Sequence, residues 1–197
     1  MNTKSSHPCP YCATRFEDHE ALKAHVVAEH GTEPLPKPYG LISLIVNHQN
    51  YEFKVEANTT LYELIHDQMG LTGSKMFCDR GACGSCTVIM DGRPILSCMT
   101  LAIECDGKRI ETVEGIAAQD HPLIEEYVKN HCMQCGYCTP GFVMAATGFL
   151  KENPNPTDAD VRHGLGGNFC RCGTYMGIRK AVLEAAETLK KGGTSNG

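Results

Sequence analysis

The sequence predicts an α+β protein built in series: a small N-terminal finger, a stiff linker, a mixed strand-and-helix domain and an all-helical domain. Three observations carry that order. Three prolines, Pro34, Pro36 and Pro38, fall within five residues and resist both helix and sheet. Between Leu41 and Val113 the strand candidates alternate apolar and polar residues, and after Gly115 the apolar residues recur at helical spacing. The boundaries read from these changes are residues 1–31 for the finger, 32–40 for the linker, 41–115 and 116–191 for the two domains, and 192–197 for a disordered tail.

Each element has its own signal. Residues 41–47 are strand-like, His48-Gln49-Asn50 reads as a turn, and residues 51–55 alternate with period two, which makes a hairpin. Thr60-Leu61-Tyr62-Glu63 has the capping-box form, with Leu61, Leu64, Ile65 and Met69 on one helical face until Gly70 ends it. Further strands are expected over 86–90, 94–97 and 109–113, with Asp91-Gly92 turning between the first two. In the second half Leu123, Ile124, Tyr127 and Val128 share a face. Thr139-Pro140 starts a helix whose face is Phe142, Ala145, Ala146, Phe149 and Leu150. Thr157 opens a short helix, and Ile178, Val182, Ala185, Ala186 and Leu189 mark a last one ending at Lys190 and Lys191.

Composition excludes several classes of function. Of 197 residues, 42% are hydrophobic and 21% charged, the balance of a globular protein. With 18 basic against 23 acidic side chains the net charge is −5, which disfavours a nucleic-acid backbone as the main partner. The longest apolar run, 141–150, falls short of the roughly 18 residues a membrane span needs. The first residues, Met-Asn-Thr-Lys-Ser-Ser-His-Pro-Cys, carry no apolar stretch for a secretory signal, so the chain is placed in the cytoplasm.

The unusual figure is 12 cysteines, which in a reducing compartment point to metal rather than disulfides. Cys78, Cys83, Cys86 and Cys98 have the x4, x2 spacing of a plant-type [2Fe–2S] ferredoxin loop. Gly81 and Gly84 permit the positive φ angles with which a loop wraps thiolates around two irons. Cys135 and Cys138 precede one helix and Cys170 and Cys172 another, so two helix N-termini face one site and favour an anionic cluster. Spacing alone leaves a four-cysteine zinc site open for either set. Cys105 and Cys132 stand outside the pattern and read as buried packing residues. Tyr137 and Phe169, beside ligands, read as shields against water.

Three stretches taken together, Cys78-Asp79-Arg80-Gly81-Ala82-Cys83-Gly84-Ser85-Cys86, Gln134-Cys135-Gly136-Tyr137-Cys138-Thr139-Pro140-Gly141 and Gly167-Asn168-Phe169-Cys170-Arg171-Cys172-Gly173-Thr174, resemble the iron–sulfur subunit of the xanthine dehydrogenase family of molybdenum hydroxylases. The resemblance covers residues from about 41 to 190. It implies a β-grasp ferredoxin domain followed by a four-helix domain, with one [2Fe–2S] cluster in each. It also implies a large partner subunit carrying molybdopterin, touched by Gln134 and Cys172, and a medium subunit carrying FAD. The chain would then relay electrons between a molybdenum centre and an acceptor, with no substrate site of its own. Two rival readings are a structural or regulatory zinc protein and a stand-alone ferredoxin-like carrier.

The N-terminal segment departs from that family. Cys9-x2-Cys12, then His25-x4-His30, satisfies the C2H2 zinc spacing, with Phe16 and Leu22 where a small ββα finger needs its core, so residues 7–30 resemble that family. With His25 as the seventh helix position, the base-reading positions are Asp18, Ala21 and Ala24, none of which offers a bidentate donor. Segment 1–31 also has three cations against four anions. The finger is therefore read as a clip onto a neighbouring subunit.

Overall fold

Asn47 and His48 both adopt left-handed φ angles, 47° and 68°, and close a two-residue hairpin between β3 (Leu41–Val46) and β4 (Gln49–Lys54). The turn is shorter and earlier than the three residues read from sequence, because asparagine tolerates the left-handed region that tight hairpins demand. The structure is a computed structural model and describes residues 7–9, 11–12, 14–31 and 40–193. The linker residues 32–39 and the last four, 194–197, lie outside them. The chain divides into two compact units, Met1–Tyr39 and Gly40–Gly197.

In the first unit β1 (His7–Pro8) pairs antiparallel with β2 (Arg15–Phe16), and α1 (His19–Glu29) follows. Asp18 caps α1, accepting a hydrogen bond from the Ala21 N–H at 2.7 Å. Val26 is the buried side chain of that helix, whereas Phe16 and Leu22 are only half-buried.

The second unit opens with a five-stranded mixed sheet in the order β4-β3-β7-β5-β6, where β5 is Thr87–Met90, β6 Arg93–Leu96 and β7 Arg109–Glu111. β7 runs parallel to β3, and the other pairings are antiparallel. β5 and β7 are shorter than their sequence pattern, and β6 keeps its four residues but starts and ends one residue earlier. Cys86 stays in the preceding loop, Ser97 begins a 3₁₀ turn over Ser97–Met99, and Val113 opens α3 (Val113–Ala117). Local hydrogen bonding takes these residues from the sheet: the Ser97 hydroxyl donates to the Cys86 carbonyl at 2.7 Å. Gly40, read as the end of the linker, belongs to this unit, and its carbonyl accepts from the Val55 N–H.

The capping box at Thr60 forms as expected, with Glu63 bonding back to the Thr60 N–H at 2.7 Å. The helix beyond it does not stay α. After α2 (Leu61–Glu63) the chain widens into a π turn over Leu64–Gln68, with the Met69 N–H donating to the Leu64 carbonyl at 3.0 Å. Burying Leu61, Leu64 and Ile65 completely against the sheet takes precedence over regular pitch.

Four further helices complete the unit: α4 (Pro122–Lys129), α5 (Thr139–Glu152), α6 (Asp158–Gly164) and α7 (Tyr175–Gly193). Val128 does not join the core face read for it and is 64% exposed, whereas Leu123 and Tyr127 are buried. α7 extends through Gly193, so the first two residues of the expected tail are helical. Two apolar cores result. One lies under the sheet, around Ile42, Leu44, Leu64, Val88 and Ile110. The other fills the helical layer around Phe142, Met144, Val161, Ile178 and Val182, and takes in Ile89 of β5. Successive side chains of β5 thus enter different cores, Val88 one and Ile89 the other, as period-two geometry dictates.

Glycines let α5 approach the sheet. A Cβ on Gly141 would overlap the carbonyl oxygen of Gly84, and one on Gly148 would overlap the ring of Pro94 on the edge strand β6. Replacing a mid-helix glycine by alanine ordinarily stabilises by about 0.5–1 kcal/mol. Here the overlap should reverse the sign: Gly148→Ala should cost about 1–2 kcal/mol net, since overpacking of a tight contact costs about 1–3 kcal/mol. Chemical denaturation of the cluster-loaded protein measures this, and Pro94→Ala in the same chain should restore part of the loss.

Candidate metal centres

The loop between the π turn and β5 winds tightly, with Asp79, Gly81 and Gly84 at φ 49°, 73° and 70°. Winding turns backbone N–H groups toward Cys78: the Ala82 N–H donates to its Sγ at 3.2 Å. Hydrogen bonds from Arg80 first, then Cys83 and Ala82, lower the Cys78 thiol to about 7 against its burial. Cys83 and Cys86 are buried in the same loop, and the turn after β6 presents Cys98 from the other side. Cys98 is pushed up to about 12, mainly by burial and then by its contact with Cys86 and the charge of Cys86 and Cys78. Tyr62 and Leu96 pack against Cys86 and Cys98 and close the site from below. All four cysteines named from the first spacing therefore act on one another at one place.

The second set meets where α5 and α7 begin. Cys138 occupies the N-cap position of α5, with Cys135 three residues before it, and Cys170 and Cys172 lie in the loop leading to α7. Burial first, then Cys170 and Cys135, push the Cys138 thiol up to about 12. Cys170 behaves oppositely: burial opposes its ionisation, but Thr174 hydrogen bonds, including Oγ1 at 3.3 Å, bring it to about 7. The Tyr175 hydroxyl further fixes this loop by accepting from the Cys170 N–H at 2.8 Å. Cys172 packs at the edge of the helical core, and Gln134 and Cys135 are exposed.

Two observations test whether cluster-type groups suit these sites. Each donor set consists of four thiols, the softest side-chain ligands and the natural holders of iron–sulfur clusters. Beside the second set, the buried hydroxyls of Thr139 and Tyr127 have no hydrogen-bond partner among the described residues, although buried polar groups are normally satisfied. A sulfur-rich anionic group held at Cys138 would offer such hydroxyls an acceptor. The residues fit.

The two cysteine loops are joined directly. The Phe169 N–H, one residue before Cys170, donates to the Cys83 carbonyl at 2.9 Å, and the Asn168 side-chain amide donates to the Gly84 carbonyl at 2.9 Å. A Cβ on Gly84 would come within 2.6 Å of the Asn168 amide nitrogen, so glycine is required there by contact as well as by φ. The Tyr137 hydroxyl donates to the Met76 carbonyl at 2.7 Å. Sequence reasoning gave Tyr137 and Phe169 a shielding role, but both rings lie exposed, and they join the loops through a hydroxyl and a backbone N–H.

In the N-terminal unit the ligand atoms of Cys9, Cys12, His25 and His30 all lie within 4.8 Å of one another. Cys9 Sγ is 3.5 Å from His30 Nε2 and Cys12 Sγ is 3.3 Å from His25 Nε2. Hydrogen bonds from Thr14, then His25 and His30, lower the Cys12 thiol to about 6. Asp18, a base-reading position by sequence count, spends its carboxylate on the helix cap.

Two known domain patterns match the second unit: the 2Fe-2S iron-sulfur cluster binding domain over residues 44–115 and the [2Fe-2S] binding domain over residues 112–183. The chain is 41% identical over 167 residues to the nicotine 6-hydroxylase small subunit of Paenarthrobacter nicotinovorans, covering 84% of this chain and 99% of that one. It is 34% identical to a probable xanthine dehydrogenase subunit of Bacillus subtilis, covering 83% of this chain and 95% of that one. The chain belongs to the small iron–sulfur subunits of the xanthine dehydrogenase and aldehyde oxidoreductase family of molybdenum hydroxylases. Among solved structures, quinoline 2-oxidoreductase from Pseudomonas putida 86 has a similar chain, with TM-score 0.74 and 39% identity, covering 77% of this chain and 96% of that one. The same TM-score, at 36% identity, relates it to 17% of the longer aldehyde oxidoreductase chain from Desulfovibrio desulfuricans. Residues 1–43 of this iron–sulfur subunit fall outside both domain matches.

The remaining cysteines of the subunit are packing residues. Cys105 and Cys132 are fully buried, and burial pushes each thiol up to about 11. The reactive thiolate is therefore scarce at neutral pH. In the cluster-loaded protein at pH 8, neither should be alkylated by iodoacetamide until denaturant is added, as peptide mass mapping would show. Modification of either one in the folded state would contradict the packing role.

Proposed function

We propose that Cys78, Cys83, Cys86 and Cys98 hold one [2Fe–2S] cluster, that Cys135, Cys138, Cys170 and Cys172 hold a second, and that the subunit passes electrons between them. The observation that carries this reading is the Phe169 N–H···O=C Cys83 hydrogen bond at 2.9 Å, which joins a residue of one cysteine loop to a neighbour of the other. When bound, each cluster accepts and returns one electron at a time. The chain's own residues fix the two sites relative to each other, keep water from Cys83, Cys86 and Cys170 by burial, and aim N–H groups at sulfur. Such N–H···S contacts offset negative charge and help set the potential.

The second site opens outward at Cys135 and Gln134, so this face meets the large molybdopterin subunit, with Gln134 and Cys172 touching the pterin. Phe77 and Met99, 69% and 61% exposed near the first site, offer an apolar face to the FAD-binding subunit. One cluster lies in each part of the second unit, the first part a β-grasp domain and the second a four-helix domain. The expected limits of 41–115 and 116–191 are widened by Gly40 at one end and by α7 to Gly193 at the other, and meet within α3. No helix among the described residues is long and apolar enough to cross a membrane, and twelve cysteines suit a reducing cytoplasm.

Residues 1–31 are proposed to form a zinc finger, supported by four ligand atoms mutually within 4.8 Å. Its role is assembly, given the capped Asp18 and the acidic balance of the segment. Zinc would supply most of its folding free energy, because so short a segment buries too little to fold alone.

Purified protein should be red-brown and carry about four iron and one zinc per chain, with two paramagnetic signals after reduction. A colourless anaerobic preparation with about three zinc would overturn the relay. In the assembled complex, Cys83→Ser should slow delivery to the final acceptor while the other cluster is still reduced by substrate, and Cys138→Ser should block transfer upstream of both. Deleting residues 1–31 should leave both clusters and their potentials unchanged while weakening association with a partner subunit. Undiminished assembly of the truncated subunit would refute the assembly role.

A further inference from the structure

Tyr127 of α4 is buried in the helical core, 1% exposed, in the same apolar cluster as Phe142, Cys132 and Cys170, with Cys138 packed against that cluster. Its ring is satisfied by that packing, but its hydroxyl has no hydrogen-bond partner among the described residues. The chain folds the cysteine loop back over it: the Cys132 N–H donates to the Tyr127 carbonyl at 3.0 Å, and His131 takes a left-handed φ of 51° to make the return. Burial first, and then the charges of Cys132 and Cys138, hold the phenol far above its usual range, so the buried, unpartnered hydroxyl is a neutral O–H donor in the core against which Cys138 packs. A neutral buried thiol such as Cys132 is a weak acceptor. A metal-bound thiolate or sulfide carries negative charge and accepts much more strongly.

We propose that the Tyr127 hydroxyl is a built-in hydrogen-bond donor to the sulfur shell at Cys138, and that it raises the reduction potential of the helical-domain cluster. The hydrogen bond strengthens when the cluster gains an electron, because negative charge on the sulfurs increases, so the reduced form is favoured. Tyr127 is a positioning residue in the electronic sense: it transfers nothing, and it sets the energy at which the site accepts an electron. The inference rests on the assignment of Cys135, Cys138, Cys170 and Cys172 to one cluster.

The test is Tyr127→Phe, which keeps the packed ring and removes only the oxygen. In the cluster-loaded protein, redox titration followed by electron paramagnetic resonance should show one cluster becoming about tenfold harder to reduce, equivalent to about 59 mV for one electron. The other cluster, identified by its loss in Cys83→Ser, should keep its potential. Electron–nuclear double resonance of the reduced helical-domain cluster should lose one exchangeable proton coupling. An unmoved potential, or an unchanged set of exchangeable couplings, in a variant that retains both clusters would overturn the proposal. So would an equal shift in Cys132→Ala, because the hydroxyl would then be acting through Cys132. Wild-type protein without iron would instead defeat the cluster assignment on which the proposal stands.

Discussion

Gathering thiolates is electrostatically unfavourable, and both cysteine sites are organised around that fact. Like charges brought together cannot all ionise without compensation. Within each set one thiol is held near 7 by hydrogen bonds and another is driven to about 12 by burial and its neighbours, Cys78 against Cys98 and Cys170 against Cys138. A cationic iron core bound there would relieve this frustration, and backbone N–H groups, helix N-termini and buried hydroxyls would distribute what charge remains. Tight winding at Gly81 and Gly84, the 3₁₀ turn that delivers Cys98 and the Thr174 contact to Cys170 are local answers to the same requirement.

A relay also needs its two sites at a fixed separation, and the second unit achieves this with one strand and one helix. β5 contributes Val88 to the sheet core and Ile89 to the helical core, so neither half can shift without disturbing the other. α5 lies against this strand through Gly141 and Gly148, close enough that a methyl group on either would collide with Gly84 or Pro94. Gly141 therefore packs on the first cysteine loop a few residues after the helix has presented Cys138 of the second. Packing density and electron-transfer geometry depend on the same contacts.

The N-terminal unit follows a different logic. It has little core beyond Val26 and the half-buried Phe16 and Leu22, and its four candidate ligands contribute rings and sulfurs to its interior. The ring of Phe16 lies tilted 4.7 Å from that of His25, and the His25 ring lies 5.1 Å from that of His30. In so small a unit, ligand geometry and packing are the same contacts, so a zinc ion held there would couple metal binding to folding.

The amino-acid sequence by itself determined which cysteines group together, because ligand spacing is a local property of the chain. It also determined the order of finger, strands and helices, because period-two and period-3.6 patterns record which face each segment must bury. The capping box at Thr60 and the helix start at Thr157 were legible for the same reason, since each is set within a few residues; that Thr157 also forms a capping box with Asp160 is seen only in the structure. Tertiary structure alone decided the rest. The π turn after Glu63, the truncation of β5 and β7, the one-residue shift of β6 and the exposure of Val128 arise from competition between local pattern and distant packing partners. The contact of Phe169 with Cys83, 86 residues apart, and the unpartnered hydroxyl of Tyr127 have no local signature at all. A chain can write its ligands into short motifs, but the distance between two motifs and the polarity of the space around them exist only once the cores have packed.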